Sequence, residues 1–107
     1  MAISPTQRTL KRLREKEEYP LVTIVERWNA FAKIRQDLFG IIDILAIDTK
    51  GNTVGLQVTS YSNISARIKK MENSDAISHL RDANWQLIVE GWHKKDGKWV
   101  SRIVDIS

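Results

Sequence analysis

Apolar positions along the chain recur in two periods, and the switches between them divide the sequence into helices and strands. Leu10 and Leu13 stand alone on an otherwise charged segment. Ser4 in an N-cap position, Pro5 at the first helical position and Gln7 three residues after the cap predict a helix from Pro5 to about Glu18. Pro20 ends it, and the branched and aromatic residues of Leu21 to Trp28 predict a strand. The segment from Ala30 to Phe39 fits either a strand extension or an irregular connection. Gly40 then leads into Ile41 to Ile47, which is apolar on both sides except for Asp43, the pattern of a strand covered on both faces. After a turn at Asp48 to Asn52, Val54 to Thr59 forms the returning strand.

Beyond Ser60 the period becomes helical, with Ile64, Ile68 and Met71 on one side and Ser62 or Asn63 as the cap. Ser74 opens a further short helix with Ile77 and Leu80 inward and Asn84 as its stop. Trp85 to Trp92 reads as a strand, Lys95 to Gly97 as a turn, and Trp99 to Ile106 as a last alternating strand. The order α, β, β, β, α, short α, β, β predicts an α/β chain with an α+β mixed sheet: antiparallel strands first, then a helical crossover to a further strand. With 107 residues, one domain over 1–107 is expected.

The register of the second and third strands decides whether two polar side chains meet. If Thr49, Lys50 and Gly51 form a three-residue loop with Gly51 left-handed, Asp48 faces Asn52 and Asp43 falls opposite Gln57. A two-residue loop would send the two side chains to opposite faces. The glycine in the third loop position favours the first arrangement.

Composition narrows the classes. A hydrophobic fraction of 42% and a charged fraction of 28% are those of a globular protein. The absence of cysteine excludes disulfides and thiolate metal sites. No apolar run approaches the roughly 18 residues of a membrane span, and the N-terminus has no apolar signal core, so a soluble, intracellular, cytoplasmic protein without a membrane partner is expected. A net charge of +4, with Arg8, Lys11, Arg12, Arg14 and Lys16 on the first helix, fits a solvated face or a phosphate-contacting one.

Asp43 is the residue that needs a reason, because an ionised carboxylate in an apolar strand costs several kcal/mol unless paired or metal-bound. The order αβββαβ, the run Arg35-Gln36-Asp37-Leu38-Phe39-Gly40 followed by Asp43-Ile44-Leu45-Ala46, and the Gln57-Val58-Thr59-Ser60 strand with a basic helix after it resemble the PD-(D/E)XK nuclease superfamily. Within it the chain resembles small phage and bacterial proteins described as Holliday-junction-resolvase-like. The resemblance covers Thr6 to about Val89 and implies a restriction-endonuclease-like αβββαβ core with an extra C-terminal strand. It implies a metal-dependent endonuclease in a bacterial or phage-infected cell, using Mg2+ or Mn2+ and no small-molecule cofactor to hydrolyse phosphodiesters of branched or flapped DNA, with a homodimer presenting two sites.

Carried over by position, the metal ligands are Asp43, Gln57 and the carbonyl of Val58, and Thr59 stands where the family has its lysine. Gln57 adds no negative charge and Thr59 no cation. Lys70 or Lys69 on the following helix is the expected replacement. Candidates for a further acid are Glu18, with Glu15 and Glu17, on the first helix, Glu26 on the first strand and Asp37 before the second. Arg8, Arg12, Arg35, Arg67 and Asn63 are candidate DNA contacts, and Trp28 and Trp92 candidate stacking surfaces. The alternative class is a nuclease fold that has lost its second carboxylate and lysine and binds DNA or a protein without cutting. On that view Asp43 is half of an ion pair, with Arg35 as one partner, and Gln57 and Thr59 are ordinary inward polar residues.

Overall fold

A computed structural model describes residues 3–107. The chain runs α1 (Pro5–Glu15), β1 (Leu21–Ile24), β2 (Arg27–Asn29), β3 (Ile34–Gln36), β4 (Ile44–Ile47) and β5 (Thr53–Ser60). A 3-10 turn at Tyr61–Asn63 then leads into α2 (Ile64–Glu72), α3 (Ala76–Asp82), β6 (Gln86–Lys95) and β7 (Lys98–Asp105). Five strands form one mixed sheet in the order β1-β4-β5-β6-β7, and β2 and β3 make a separate hairpin. Among the described residues only the β5–β6 pairing is parallel, and α2 and α3 make the crossover it requires.

Each face of the sheet has its own apolar layer. Val54, Leu56 and Val58 of β5 and Ile44 and Ala46 of β4 turn to Leu10 and Leu13 of α1. Leu87 and Val89 of β6 join Ile41 and Ile42, which precede β4, against Ile64 and Met71 of α2 and Ile77 and Leu80 of α3. The thin apolar side of α1 is therefore sufficient, because both its leucines are buried. Ser4 caps α1 as expected, its hydroxyl accepting from the Gln7 N–H at 3.2 Å.

Where α2 begins, the layers approach closely. A methyl group added to Gly91 of β6 would come within 2.4 Å of the Ile64 side chain and 3.0 Å of the Tyr61 backbone. The first turn of α2 thus rests on bare strand backbone, a contact that only glycine permits.

Several expected boundaries move. α1 stops at Glu15 rather than near Glu18. The strand expected over Leu21 to Trp28 breaks after Ile24, where Val25 and Glu26 both donate their N–H groups to the Asp43 carbonyl (2.9 and 3.3 Å), and its second half pairs with Ile34–Gln36 instead. The segment Ala30 to Phe39 thereby supplies the other half of a hairpin. Its turn is held by the Asn29 Oδ1, which accepts from the N–H groups of Phe31 and Ala32 at 3.0 Å each, and Lys33 takes a positive φ of 56°. Regular pairing of β4 begins at Ile44 rather than Ile41. Neither Ser62 nor Asn63 caps α2 by a side chain; the Asn63 amide donates to the Ser60 hydroxyl.

The α1 face holds a second carboxylate that the sequence reading did not single out. Glu90 of β6 is fully buried and receives both Arg12 Nε at 2.8 Å and Arg12 Nη2 at 2.9 Å, with the Ser101 hydroxyl donating at 2.6 Å. Beside it the Trp92 indole N–H donates to the Thr9 hydroxyl at 2.8 Å. No helix among the described residues is long and apolar enough to cross a membrane.

Candidate metal centre

The β4–β5 hairpin has the register that its loop chemistry predicts. Asp48 N donates to Asn52 O at 3.0 Å, Gly51 is left-handed at φ 82°, and Ile44 pairs with Leu56. Continuing that ladder by one residue sets Asp43 opposite Gln57, and the Asp43 N–H donates to the Leu56 carbonyl at 2.8 Å. The two side chains meet: Gln57 Nε2 donates to Asp43 Oδ2 at 2.6 Å, and the Val58 N–H donates to the same oxygen at 2.8 Å.

Two further acids are brought in by backbone, not by sheet pairing. The hydrogen bond from Glu26 N to the Asp43 carbonyl fixes Glu26 beside Asp43. Asp37 returns through a tight turn in which Leu38 and Ile42 bond each other at 2.9 and 3.0 Å while Phe39 and Gly40 take positive φ values. Carboxylate oxygens of Glu26, Asp37 and Asp43 lie within 4.8 Å of one another.

Their surroundings differ. Glu26 accepts from Arg35 at 3.3 Å, and Asp37 is paired with Lys70 at 3.5 Å. Asp43, only 3% exposed, has no cationic partner among the described residues. Burial, and then the hydrogen bond and charge of Asp37, push its carboxyl up to about 7, although the N–H groups of Val58 and Gln57 pull the other way. Arg35 therefore pairs with Glu26 and not with Asp43. The Gln57 Oε1 is buried without any hydrogen-bond partner. Exchanging the two ends of that amide would place an oxygen, rather than an N–H, against Asp43.

The cluster sits in a cleft of about 470 Å³. Ser4, Pro5 and Thr6 at the start of α1 bound one side, and Asn63, Arg67 and Lys70 bound the other. Thr59, Val58 and Arg35 also reach it. Of the expected site residues, the structure thus gathers Glu26, Arg35, Asp37, Asp43, Val58, Thr59, Asn63, Arg67 and Lys70 around one space, with Gln57 behind them. It leaves Lys69, Glu18, Arg8 and Arg12 outside the lining. Arg8 lies over the Trp99 ring at 4.0 Å, Arg12 binds Glu90, and the Glu18 carbonyl accepts from Thr49 N. At Val58, whose carbonyl is the expected metal ligand, the backbone N–H donates to Asp43. Neither histidine lines the cleft; His93 stacks on Tyr61 at 4.3 Å.

Three carboxylates in so small a space repel one another unless a proton or a cation is shared among them. Hard oxygen ligands of this kind suit a divalent magnesium-like ion, and the basic rim of Arg35, Arg67 and Lys70 suits an anion that bridges it. No family model, no curated protein and no solved structure matches the chain.

Proposed function

We propose that the chain is a divalent-cation-dependent DNA endonuclease with a restriction-endonuclease-like fold. The observation that carries this reading is Asp43: buried, without a cation of its own, and within 4.8 Å of two other carboxylates at the base of a cleft rimmed by Arg35, Arg67 and Lys70. The acid missing from the Gln57 position has substitutes in Glu26 and Asp37, and the cation missing at Thr59 has one in Lys70. The unpartnered Gln57 Oε1 supplies one more oxygen donor.

Asp43, Asp37 and Glu26 would hold Mg2+ or Mn2+, with Gln57 turned to present its oxygen. A cation bound there polarises a phosphate and lowers the pKa of bound water. Arg67 and Arg35 orient the phosphodiester by charge-assisted hydrogen bonds. Lys70 exchanges Asp37 for the charge that develops on the phosphoryl oxygens. Thr59 orients water through its hydroxyl. A chain of this size covers little duplex, so two copies acting on branched or duplex DNA belong to the proposal.

The test is incubation with plasmid, single-stranded and branched DNA in Mg2+ or Mn2+, beside the Asp43→Ala variant. Cleavage by the parent and none by the folded variant is the expected result. DNA binding without metal-dependent cutting, equal in both proteins, sinks the enzyme and leaves a non-cutting DNA-binding module. That second reading is favoured by one observation, the Gln57 N–H donating to Asp43 where the family has an acid.

A further inference from the structure

The β2–β3 hairpin lends only Arg35 to the chemistry above, yet it is built unlike the rest of the surface. Residues 27–36 carry Arg27, Lys33 and Arg35 and no acid. Trp28 is 60% exposed. The other tryptophans are engaged: Trp85 lies 6.2 Å from the Phe39 ring, Trp92 donates to Thr9, and Trp99 lies under Arg8. Among the described residues, no ring or guanidinium stacks on Trp28.

Register sets where this ring points. Trp28 is directly opposite Arg35, so the two project from the same face of the hairpin. A recess of about 330 Å³ lies there, lined by Trp28 and Arg35 from that face and reached by Arg27 from the next position along β2. The recess shares Ser4, Glu26 and Arg35 with the acidic cleft, so the exposed indole and the carboxylate cluster lie in adjoining hollows.

We propose that this recess receives an unpaired nucleobase of a DNA strand, stacked on Trp28, while Arg27 and Arg35 hold the flanking phosphates. The inference rests on the reading of the neighbouring cleft as the phosphate-receiving site. A flat indole beside cations matches a single strand, whose bases offer free π-faces; inside a duplex those faces are occupied by neighbouring base pairs. The hairpin's charge, three cations and no acid, supplies the complementary attraction for the backbone. The recess thereby gives the protein a preference for junctions, flaps or frayed ends over continuous duplex.

The experiment is fluorescence anisotropy in EDTA, which removes metal and cutting, with a short labelled oligothymidylate and a blunt duplex as probes. Trp28→Ala is expected to weaken single-strand binding about tenfold or more while leaving duplex binding unchanged, and Trp28→Phe to retain most of the affinity. An unchanged melting temperature confirms that the peripheral hairpin variant is folded. Equal single-strand affinity in parent and Trp28→Ala, or an equal loss on both probes, overturns the inference. If the parent cuts no DNA but still binds single strands through Trp28, the catalytic reading of the cluster fails and the recess stands. If it cuts and Trp28→Ala binds like the parent, the recess alone fails.

Discussion

The sheet carries one buried carboxylate on each face, and the two are treated in opposite ways. Glu90, facing α1, has a bidentate Arg12 and the Ser101 hydroxyl. Asp43, facing the α2 side, has two N–H donors, two acidic neighbours and, among the described residues, no cation. A buried carboxylate that serves the fold comes with its counter-charge from another element, here one 78 residues away. One that lacks a counter-charge, at the base of an open cleft, keeps a penalty that a cation from outside would relieve. The ion pair weighed for Asp43 is not formed, since Arg35 bonds Glu26 instead; the buried pair of this sheet is Arg12–Glu90, on the other face.

The largest effect expected is on the Glu90 side. Arg12→Ala strands a fully buried carboxylate and should lower unfolding free energy by about 3–5 kcal/mol, with the lower end favoured because the Arg12 side chain is partly exposed. Urea denaturation at neutral pH measures it. The double replacement Arg12→Met with Glu90→Leu should recover most of the loss; if it unfolds as readily as Arg12→Ala, the pair is not what stabilises this face.

Asp43 should behave in the opposite sense. Its carboxyl stands at about 7 in the folded chain against 3.8 for an unperturbed one. Below pH 3.8 it is protonated in both states and imposes no penalty. As pH rises towards 7 the unfolded chain releases the proton first, so the folded state loses stability, by up to about 4 kcal/mol once above the folded value. Asp43→Asn keeps an acceptor for Val58 and removes the charge, so in EDTA it should be more stable than the parent at pH 8 and indistinguishable from it near pH 4. A variant less stable than the parent at pH 8 would mean that the charge is already compensated.

Added cation should remove the same penalty. At about 100 times its dissociation constant, Mn2+ should stabilise the parent by about 2.7 kcal/mol, seen as a higher melting temperature, and should do little for Asp43→Asn. No shift in the parent would break the contrast between the two carboxylates. The smallest effect is Ser101→Ala, which removes one of three donors to Glu90 and should cost about 1–2 kcal/mol at pH 7.

Local chemistry explains which parts of this arrangement were legible in the sequence. The facing of Asp43 and Gln57 follows from one glycine at the third position of a short loop, and the helix start at Ser4 from capping chemistry. The β2–β3 hairpin carries no glycine or proline at its turn; Lys33 takes the left-handed conformation and the Asn29 side chain holds the bend. Without that turn signal Glu26 could only be placed on a continuous strand, although it and Asp37 were both among the acids considered. Glu90 was missed despite standing as a lone carboxylate within an apolar run, the same pattern that drew attention to Asp43. The identity of its partner was beyond reach, because α1 and β6 meet only through the assembled sheet.

The bare backbone of Gly91 under Ile64 has a consequence for the cleft. α2 carries Arg67 and Lys70, so the height of that basic wall is set from beneath, by the absence of a side chain on a strand that contributes nothing to the cleft lining. Gly91 works as a shim of zero thickness. A single methyl group there would press on Ile64 and Tyr61, so the seat of α2 would have to give, altering the spacing between cations and carboxylates while every residue that lines the cleft stays the same.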